Sequence, residues 1–413
     1  MNLDSILHAE LAALEKANLR RILRATDQLS EGMRNFAAND YLGLSRHPVL
    51  IEEARRATAK RGTGAGASRL ITGTDQAVLA LEGALAAWKE KEAALVFSSG
   101  YAAALGTIPA LVGKGDTVVL DKLVHASLID AVRLSGATVR VFPHNNVEKL
   151  SALLGKISDK GTRDKSRILI VTESIFSMDG DAALLREIVE VKDRYGAWLF
   201  VDEAHATGLY GATGAGLVAE LGLSARVEIV MGTLSKALGS VGGYIAGSRA
   251  LIDWLTNRAR SFIYSTALPP GVIAASHVAV DLARGSEGAI LRARLRENIL
   301  RFEAGVPSRW GKRESVARSA TATMEKRHDG HRPPLQAEGT TAKPSAIQPL
   351  ICGEATAALQ LAAALREKGF FVPAIRYPTV PRLSARLRVT LSAAHADEDI
   401  GALNRALAQC GAK

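Results

Sequence analysis

Residues 229–247 read IVMGTLSKALGSVGGYIAG, and this stretch decides the fold. An apolar run typical of a β-strand leads into small and hydroxylic residues, and these are followed by one lysine, Lys236. An amine among such neighbours loses hydration, which lowers its pKa and frees its lone pair to attack a carbonyl group. A surface lysine on a glycine-rich turn is the alternative, and this stretch alone does not decide between the two.

A second segment favours the reactive lysine. Residues 198–208 read WLFVDEAHATG, in which an apolar strand ends in Asp202 and His205 follows three residues later. A carboxylate and an imidazole at the end of a buried strand are typical of a site rather than of a solvated turn.

Composition limits the class of protein. A chain of 413 residues is longer than the chains that usually fold around one hydrophobic core. This length indicates two domains, or one large domain with a smaller one. The chain is 47% apolar and 23% charged, as in soluble globular proteins, and no segment approaches a membrane span or a signal core. Its two cysteines, Cys352 and Cys410, have no metal-ligand or redox spacing. We expect a cytoplasmic protein that binds neither metal nor membrane.

The net charge of +10 raises the question of nucleic-acid binding. Such binding needs basic residues on one face, with aromatic side chains for stacking, whereas here aromatics make up 5% and the basic residues are scattered. The basic residues are densest within residues 306–343, which we interpret as a solvated, mobile insert. Attraction of a polyanionic substrate such as coenzyme A is a weaker reading of the same segment.

Glycine-rich phosphate loops of the nucleotide-binding kinds are absent from the sequence. Residues 61–74, RGTGAGASRLITGT, carry glycines spaced G-x-G-x-G that do not open a helix after a strand. No GK[ST] lysine occurs in the chain. Both nucleotide-binding fingerprints are therefore unmet.

Helices and short apolar strands alternate along most of the chain, which predicts an α/β fold with a mostly parallel sheet flanked by helices. Strands are predicted at residues 93–97, 117–120, 138–142, 168–172, 198–201, 228–231 and 244–246. We expect an N-terminal helix and linker (1–47, with a helix over 4–24), a large domain (48–285) and a small α+β domain (286–413). The small domain should contain a strand over 370–374, and residues 269–304 should form a long helix broken near Gly285.

Polar residues follow five of these strands, and parallel strands gather their ligands at their carboxyl ends. A lysine beside a strand-end aspartate suits pyridoxal phosphate (PLP), because Lys236 would bind its aldehyde and Asp202 would pair with its ring nitrogen. Ser99, Gly100 and Tyr101 open a helix whose free amides would bind the phosphate, helped by the hydroxyl of Thr233. His125 would lie over the ring and His205 would donate to its phenolic oxygen. Taken singly, each is more typical of a capping or core histidine, and their shared placement at strand ends favours the site instead.

Ten segments carry a resemblance to a known family. They are NDYLGLS (39–45), ASRLITG (67–73), SSGYAA (98–103), HASLIDA (125–131), ESIFSMDGD (173–181), VDEAHATG (201–208), TLSKALGSVGGY (233–244), IYSTALPP (263–270), AIRYPTVP (374–381) and ARLRVTLSAAH (385–395). In this order and over nearly the whole chain, they make the protein similar to the α-oxoamine synthases, which are fold-type I PLP enzymes.

The resemblance implies a role for each matching residue. Lys236 would carry the cofactor and move the proton at the substrate α-carbon, with Asp202, His205 and His125 as its catalytic neighbours. The remaining cofactor contacts would come from Ser99, Gly100, Tyr101, Ser177, Thr233 and Thr266, the last reaching across the interface of a homodimer. The substrates would contact Arg21, Asn39, His125, Thr379 and Arg388, with Arg388 clamping the amino-acid carboxylate. Arg20 is the alternative to Arg21 at the acyl site.

The implied reaction is the decarboxylative condensation of an amino acid with an acyl thioester. The matching segments favour alanine and pimeloyl-CoA, or pimeloyl-carrier protein, as in biotin synthesis. The open alternatives are family members that use glycine or serine (glycine C-acetyltransferase, 5-aminolevulinate synthase and serine palmitoyltransferase) and a PLP-binding protein without catalysis. Ala104 and Tyr377 depart from the family pattern, and Tyr377 lies in the segment beside the acyl site.

Overall fold

Seven short, apolar strands form the central sheet of the protein. The computed structural model describes residues 2–23, 25, 32–158, 166–310 and 344–410. The strands of the central sheet are β2 (Ala93–Phe97), β3 (Thr117–Asp121), β4 (Thr138–Phe142), β5 (Ile168–Glu173), β6 (Trp198–Asp202), β7 (Ile229–Thr233) and β8 (Gly243–Gly247). Their order across the sheet is β2-β8-β7-β6-β5-β3-β4.

Strand direction confirms the predicted sheet type. Strands β7, β6, β5, β3 and β4 pair in parallel, and β8 runs antiparallel to both of its neighbours, β2 and β7. The parallel strands therefore end at one edge, where the candidate side chains of β6 and β7 meet. Successive residues face different cores, since Ile245 packs in one apolar cluster while Tyr244 and Ala246 pack in the other. Helices cover both faces of such a sheet.

The helices fall into two packed groups around this sheet. Helices α4, α5, α9 and α10 contact one another in one group, and α2, α3 and α11 in the other. The helices are α1 (Leu3–Lys16), α2 (Pro48–Arg61), α3 (Gln76–Trp88), α4 (Gly100–Leu111), α5 (Ala126–Ser135), α6 (Val147–Ser158), α7 (Leu185–Tyr195), α8 (Leu217–Glu220), α9 (Arg249–Arg258), α10 (Arg260–Ile263), α11 (Pro270–Arg284), α12 (Ser286–Gly305), α13 (Ala355–Glu367) and α14 (Asp397–Cys410). None of the described helices is long and apolar enough to cross a membrane.

A smaller antiparallel sheet is built mainly from the C-terminal part of the chain. Its strands are β9 (Ile347–Gly353), β11 (Ala374–Ile375) and β12 (Ala385–Thr390), with β12 in the centre. Near the N-terminus, β1 (Arg34–Asn35) pairs in parallel with β10 (Phe370–Phe371). The Thr390 amide also donates to the Phe36 carbonyl at 2.8 Å, so the N-terminal segment joins the small sheet. The domain boundaries drawn from the sequence stay predictions.

Local structure departs from the sequence prediction at two places. The helix expected over 4–24 ends at Lys16, because Asn18 takes a left-handed backbone conformation (φ 57°) that an α-helix does not allow. The strand expected over 370–374 is two short strands separated at Pro373, which has no amide proton to donate to a ladder. The break near Gly285 is confirmed between α11 and α12. Residues 311–343 of the expected basic insert lie outside the described residues.

A buried ion pair anchors the segment that follows β6. The Lys89 ammonium lies 3.0 Å from Glu203 Oε2 and 2.9 Å from Thr207 Oγ1, and it also donates to the Ala215 carbonyl. Both charged side chains are 1% exposed. Glu203 Oε1 accepts the Val218 amide at 2.8 Å. Because this segment also holds His205, the pair ties a site residue to α3.

Replacing Lys89 by Ala should lower the free energy of unfolding by about 3–5 kcal/mol, since it leaves the Glu203 carboxylate buried without its cation. Urea unfolding followed by circular dichroism measures the loss. Lys114→Ala, at an exposed turn, is the matched control and should change stability by less than about 0.5 kcal/mol. Equal stability of the two variants would contradict the anchoring role.

Candidate functional site

Lys236 lies on the loop between β7 and β8, and this loop is closed by its own hydrogen bonds. The Leu234 amide donates to the Gly242 carbonyl at 2.9 Å, and the Thr233 hydroxyl donates to the same carbonyl at 2.8 Å. Gly239 has a φ of 62° and packs against the backbone of residues 44 and 45, where a side chain would overlap. The loop thus needs glycine to hold the half-buried lysine in place.

The Lys236 amine contacts a histidine and lies near two carboxylates. Its Nζ is 2.9 Å from His205 Nε2. Burial lowers the pKa of Lys236; the negative charges of Asp202 and Glu173 oppose this shift, and the Arg388 charge adds to it. Because its pKa is lowered, a larger fraction of Lys236 is the neutral, nucleophilic amine than in a solvated lysine.

Asp202 ends β6 as a buried carboxylate that lacks a cation. Its side chain accepts the Ala204 amide at 2.8 Å, and it forms no ion pair with any residue that the structure describes. Burial raises the pKa of Asp202, while the Lys236 charge works to lower it. A buried carboxylate without a cation is costly, so a protonated ring nitrogen placed here would relieve the cost.

Glu173 is the neighbour of Asp202 on β5 and one of the polar strand-end residues of the sequence, where it received no role. Burial, and then the Asp202 charge, raise the pKa of Glu173 well above its ordinary value. Its Oε2 accepts the Ser177 amide at 3.1 Å, and its buried Oε1 has no hydrogen-bond partner among the described residues. Burial beside Asp202 thus disfavours the charged form of Glu173. Its position at the end of β5 was noted from the sequence, but its burial beside Asp202 was not predicted.

Both candidate histidines are neutral groups in this site. Burial lowers the pKa of His125, and it lowers the pKa of His205 well below the ordinary value, with the Lys236 charge adding to the effect. His125 is the N-cap of α5, and its Nδ1 accepts the Ser127 amide at 3.2 Å. His125 is thus a capping histidine, as the alternative interpretation of the sequence held. The hydrogen bond to Nδ1 also fixes the orientation of its ring.

The start of α4 forms a close-fitting cradle next to Thr233. A Cβ on Gly100 would lie 3.3 Å from Met231 Cε and 3.8 Å from Thr233 Oγ1, and a Cβ on Gly243 would lie 2.5 Å from the Gly100 backbone. Ser99 caps the helix by accepting the Ala102 amide on its hydroxyl at 3.0 Å. Free amides at a helix start bind anions.

Tyr101 departs from the expected cluster. Its side chain is 44% exposed, and its hydroxyl donates to Asp130 at 2.6 Å. That hydrogen bond also raises the pKa of Tyr101. Because the Tyr101 hydroxyl donates to a residue of α5, the predicted contact of Tyr101 with the cofactor would come from its ring or its backbone amide.

Arg388 brings the small sheet to the site. It is buried on β12, where its Nε donates to the Ser177 carbonyl at 2.7 Å and its Nη1 donates to Asn39 Oδ1 at 3.0 Å. Nη1 also donates to the Thr390 hydroxyl at 2.8 Å. The structure thus gathers Arg388, Asn39 and Ser177 at one place, although Ser177 contributes its backbone carbonyl to this contact.

The remaining predicted residues lie at two other places. Arg21 Nη2 donates to the Thr379 hydroxyl at 3.3 Å, and both line a cavity of about 490 Å³. Arg20 lines the same cavity but pairs with Glu15 at 2.5 Å. Thr266 is exposed and forms an isolated bridge with Ser68.

A buried cluster that the sequence did not reveal holds the loop after β5. His144 Nδ1 lies 2.9 Å from Asp121 Oδ1, and His144 Nε2 lies 2.8 Å from Asp181 Oδ2. Burial alone would lower the pKa of His144, but the hydrogen bonds to the two carboxylates raise it to about 10. The loop that it clamps carries Ser177 and Asp179, which contact Arg388 and Arg386. Asp121 was noted as a polar residue at a strand end, whereas His144, after the next strand, was missed.

The residues present fit PLP. A desolvated amine suits its aldehyde, a buried carboxylate without a cation suits a protonated ring nitrogen, and a helix start lined by glycine suits its phosphate. All three groups lie at the carboxyl edge of the sheet, as inferred from the sequence.

Comparison with known proteins supports the same assignment. A model of the aminotransferase class I and II family matches residues 31–407. An 8-amino-7-oxononanoate synthase from Geobacter metallireducens is 46% identical over 365 residues, covering 88% of this chain and 85% of that protein. One from Geobacter sulfurreducens is 43% identical over 411 residues, covering 97% of each protein.

Solved structures share the fold over most of the chain. A serine palmitoyltransferase from S. paucimobilis, with a bound PLP–myriocin aldimine, superposes with a TM-score of 0.85 at 28% identity, covering 100% of this chain and 98% of that one. An 8-amino-7-oxononanoate synthase from Francisella tularensis superposes with a TM-score of 0.71 at 26% identity, covering 91% of this chain and 97% of that one.

Replacing His144 by Gln should destabilise the protein in a pH-dependent way. The folded pKa of about 10 lies above the ordinary value of about 6.5, so the stability that protonation adds is complete below about pH 6.5 and is lost as the pH rises through about 10. The difference between wild type and variant should be of the order of 3 kcal/mol at about pH 6 and should nearly vanish above about pH 10.

Urea unfolding of both proteins across this range measures the difference. His8→Gln, at an exposed position on α1, should show no such trend. A His144→Gln penalty that does not change with pH would show that His144 is not held as a cation.

Proposed function

The chain belongs to the aminotransferase class I and II family and, within it, to the α-oxoamine synthases, and we propose that it condenses L-alanine with a pimeloyl thioester. The products would be 8-amino-7-oxononanoate, carbon dioxide and the free thiol, a step of biotin synthesis. The observation that carries the proposal is a Lys236 amine, with a pKa lowered by burial, that lies near Asp202, a buried carboxylate without an ion pair among the described residues. The relatives of the chain are 8-amino-7-oxononanoate synthases.

PLP, when bound, supplies an aldehyde for the enzyme amine and a ring that draws electrons from the substrate α-carbon. Lys236 would attach it, Asp202 would neutralise the ring nitrogen, and the start of α4 at Ser99 and Gly100 with the Thr233 hydroxyl would hold the phosphate. His125 would cover one face of the ring and exclude water from it. Tyr101 and Ser177 would complete the walls of the site.

Proton movement falls to Lys236 and its neighbour His205. The amine, with a pKa lowered by burial, would take the proton from the substrate α-carbon and return it after the new carbon–carbon bond forms. His205 Nε2, at 2.9 Å from Lys236 Nζ, would orient that amine and hold a proton at the ring oxygen. Water would be kept out by the buried walls, since His205 is 6% exposed and Asp202 is 5% exposed.

Arg388 would bind the alanine carboxylate. Its guanidinium is buried, and Ser177, Asn39 and Thr390 fix its Nε and Nη1. A guanidinium held in this way is pre-organised for a planar carboxylate. Asn39 would then lie at the mouth of the amino-acid pocket.

The acyl thioester would enter past the cavity lined by Arg21 and Thr379. Arg21 is preferred to Arg20 because Arg20 already pairs with Glu15, whereas Arg21 points to Thr379. Tyr377 lies close by, with the Arg382 guanidinium 4.6 Å from its ring centroid. The thioester would be that of CoA or of a carrier protein.

A homodimer in the cytoplasm is part of the proposal. Thr266 bridges to Ser68, and the segments of these residues and of Gly242 carry exposed apolar side chains, namely Leu70, Ile71, Val241 and Tyr264, with exposures of 50–75%. An apolar patch of this kind is typical of a subunit interface. Both cysteines are free, as a reducing compartment would leave them.

A substrate screen tests the function. Purified, PLP-loaded enzyme is mixed with alanine, glycine or serine and with pimeloyl-, acetyl-, succinyl- or palmitoyl-CoA, and thiol release is followed. The efficiency with alanine and pimeloyl-CoA should exceed that of each other pair by about 10-fold or more. Turnover with glycine or serine alone would assign the chain to a sibling activity, and binding of PLP without any turnover would make it a non-catalytic protein.

Mixed dimers test the expected role of Thr266 in the partner's site. Lys236→Ala and Thr266→Ala subunits, each nearly inactive alone, are co-expressed with different tags and purified as dimers. If Thr266 serves the partner's site, each mixed dimer has one intact site of two, and mixed dimers isolated through both tags should show about half of wild-type activity. No recovery in the mixed dimer would place Thr266 in the site of its own subunit or remove it from the site.

A further inference from the structure

We propose that Tyr41 is a positioning residue that fixes the tautomer of His205, so that the protonated Nε2 faces the Lys236 amine and the cofactor oxygen beside it. The position of a cofactor oxygen beside Nε2 rests on the proposed function. Tyr41 lies in the NDYLGLS segment but received no role from the sequence.

The geometry places Tyr41 behind His205. Its side chain is 1% exposed, and its hydroxyl oxygen lies 2.6 Å from His205 Nδ1. On the other side of the imidazole, Nε2 lies 2.9 Å from Lys236 Nζ. The Tyr41 hydroxyl is also 3.2 Å from Asn39 Oδ1, and Asn39 accepts from Arg388. An unbroken chain of hydrogen-bonding groups thus runs from the amine to the arginine, with Tyr41 and His205 buried in its middle.

Counting protons leaves two arrangements of this chain. A neutral imidazole has one N–H donor and one lone pair, and the tyrosine hydroxyl has one proton to give. In the first arrangement Tyr41 donates to His205 Nδ1, and Nε2–H then donates to the lone pair of the neutral Lys236 amine, the form that burial of Lys236 favours. In the second, Tyr41 donates to Asn39, Nδ1–H donates to Tyr41, and Nε2 can only accept.

The contacts of Asn39 favour the first arrangement. Its Oδ1 already accepts from the Arg388 guanidinium at 3.0 Å, so it does not depend on the tyrosine proton. The separation between Tyr41 and His205, 2.6 Å, is also shorter than the 3.2 Å between Tyr41 and Asn39. The shorter contact marks the stronger hydrogen bond.

Charge supports the same arrangement. Burial lowers the pKa of His205 well below its ordinary value and the Arg388 charge adds to this shift, so the ring carries a single proton. Burial raises the pKa of Tyr41, and so the hydroxyl keeps the proton that it donates. With Nδ1 satisfied as an acceptor, Nε2 is left as the donor that the ring oxygen of the cofactor needs.

The test compares wild type with Tyr41→Phe, which removes only the hydroxyl. Tyr244→Phe is the matched control, because Tyr244 is also fully buried and its hydroxyl bonds Thr207 at 3.0 Å rather than His205. In the full-length chain labelled with ¹⁵N-histidine, the His205 resonances are assigned from their loss in His205→Asn. Wild type and Tyr244→Phe should both show a single tautomer protonated at Nε2. Tyr41→Phe should show the two nitrogen signals moved toward each other as the tautomers mix.

A second measurement reads the same change through the bound cofactor. The visible absorption of PLP-loaded enzyme is titrated with pH, and the midpoint should rise in Tyr41→Phe by about half a pH unit or more, since the ring oxygen loses a fixed donor. In a His205→Asn background, Tyr41→Phe should add no further shift, whereas a general packing defect would add to it.

The outcomes separate the two proposals. A wild-type His205 protonated at Nδ1, or a Tyr41→Phe protein with the wild-type tautomer, overturns the positioning role, whatever the activity. A wild type that gains no visible PLP band contradicts the proposed function, while the tautomer signals of the chain still decide the role of Tyr41.

Discussion

The structure depends on one electrostatic constraint, which is that a buried carboxylate and a half-buried amine lie together at the end of parallel strands. Asp202 has no cation among the described residues, and Lys236 is desolvated close enough to Asp202 for the charge of each to act on the other. Burial of either charge alone is unfavourable, because the desolvation free energy of a lone buried charge exceeds the free energy that one hydrogen bond contributes. The arrangement is relieved by a ligand that brings a positive ring nitrogen and a carbonyl carbon, and PLP has both.

Contacts that do not involve Asp202 or Lys236 themselves hold the segments that carry or adjoin these two residues. The buried Lys89–Glu203 pair ties down the segment after β6, and the His144 cluster ties down the loop after β5. Gly239 allows the lysine loop to approach the backbone of residues 44 and 45. Sites of this kind need such support because small displacements weaken proton transfer and orientation. The small sheet adds Arg388 from the other side, so the site lies where the two sheets meet.

Much of this could be predicted from the sequence, since short apolar runs and the polar residues after them determine both the sheet and its ligand edge. Long-range contacts could not be predicted in this way. Tyr41 stands 164 residues from the histidine that it contacts, and no periodicity in the sequence links them. The end of α1 was missed because the apolar repeat continues past Lys16, while the backbone at Asn18 breaks the helix. Glu173 and His144 follow the strand-end rule, but their protonation depends on burial, which only the fold reveals.

Attachment of the cofactor to one amine tests the central claim most directly. The PLP-loaded protein is reduced with borohydride and digested, and the modified peptide is located by mass spectrometry. The account predicts a pyridoxyl group on Lys236, and an Asp202→Asn protein that carries the same label but holds the unreduced cofactor less tightly. A label on another lysine, or no label in a protein that still turns over its substrates, would contradict it.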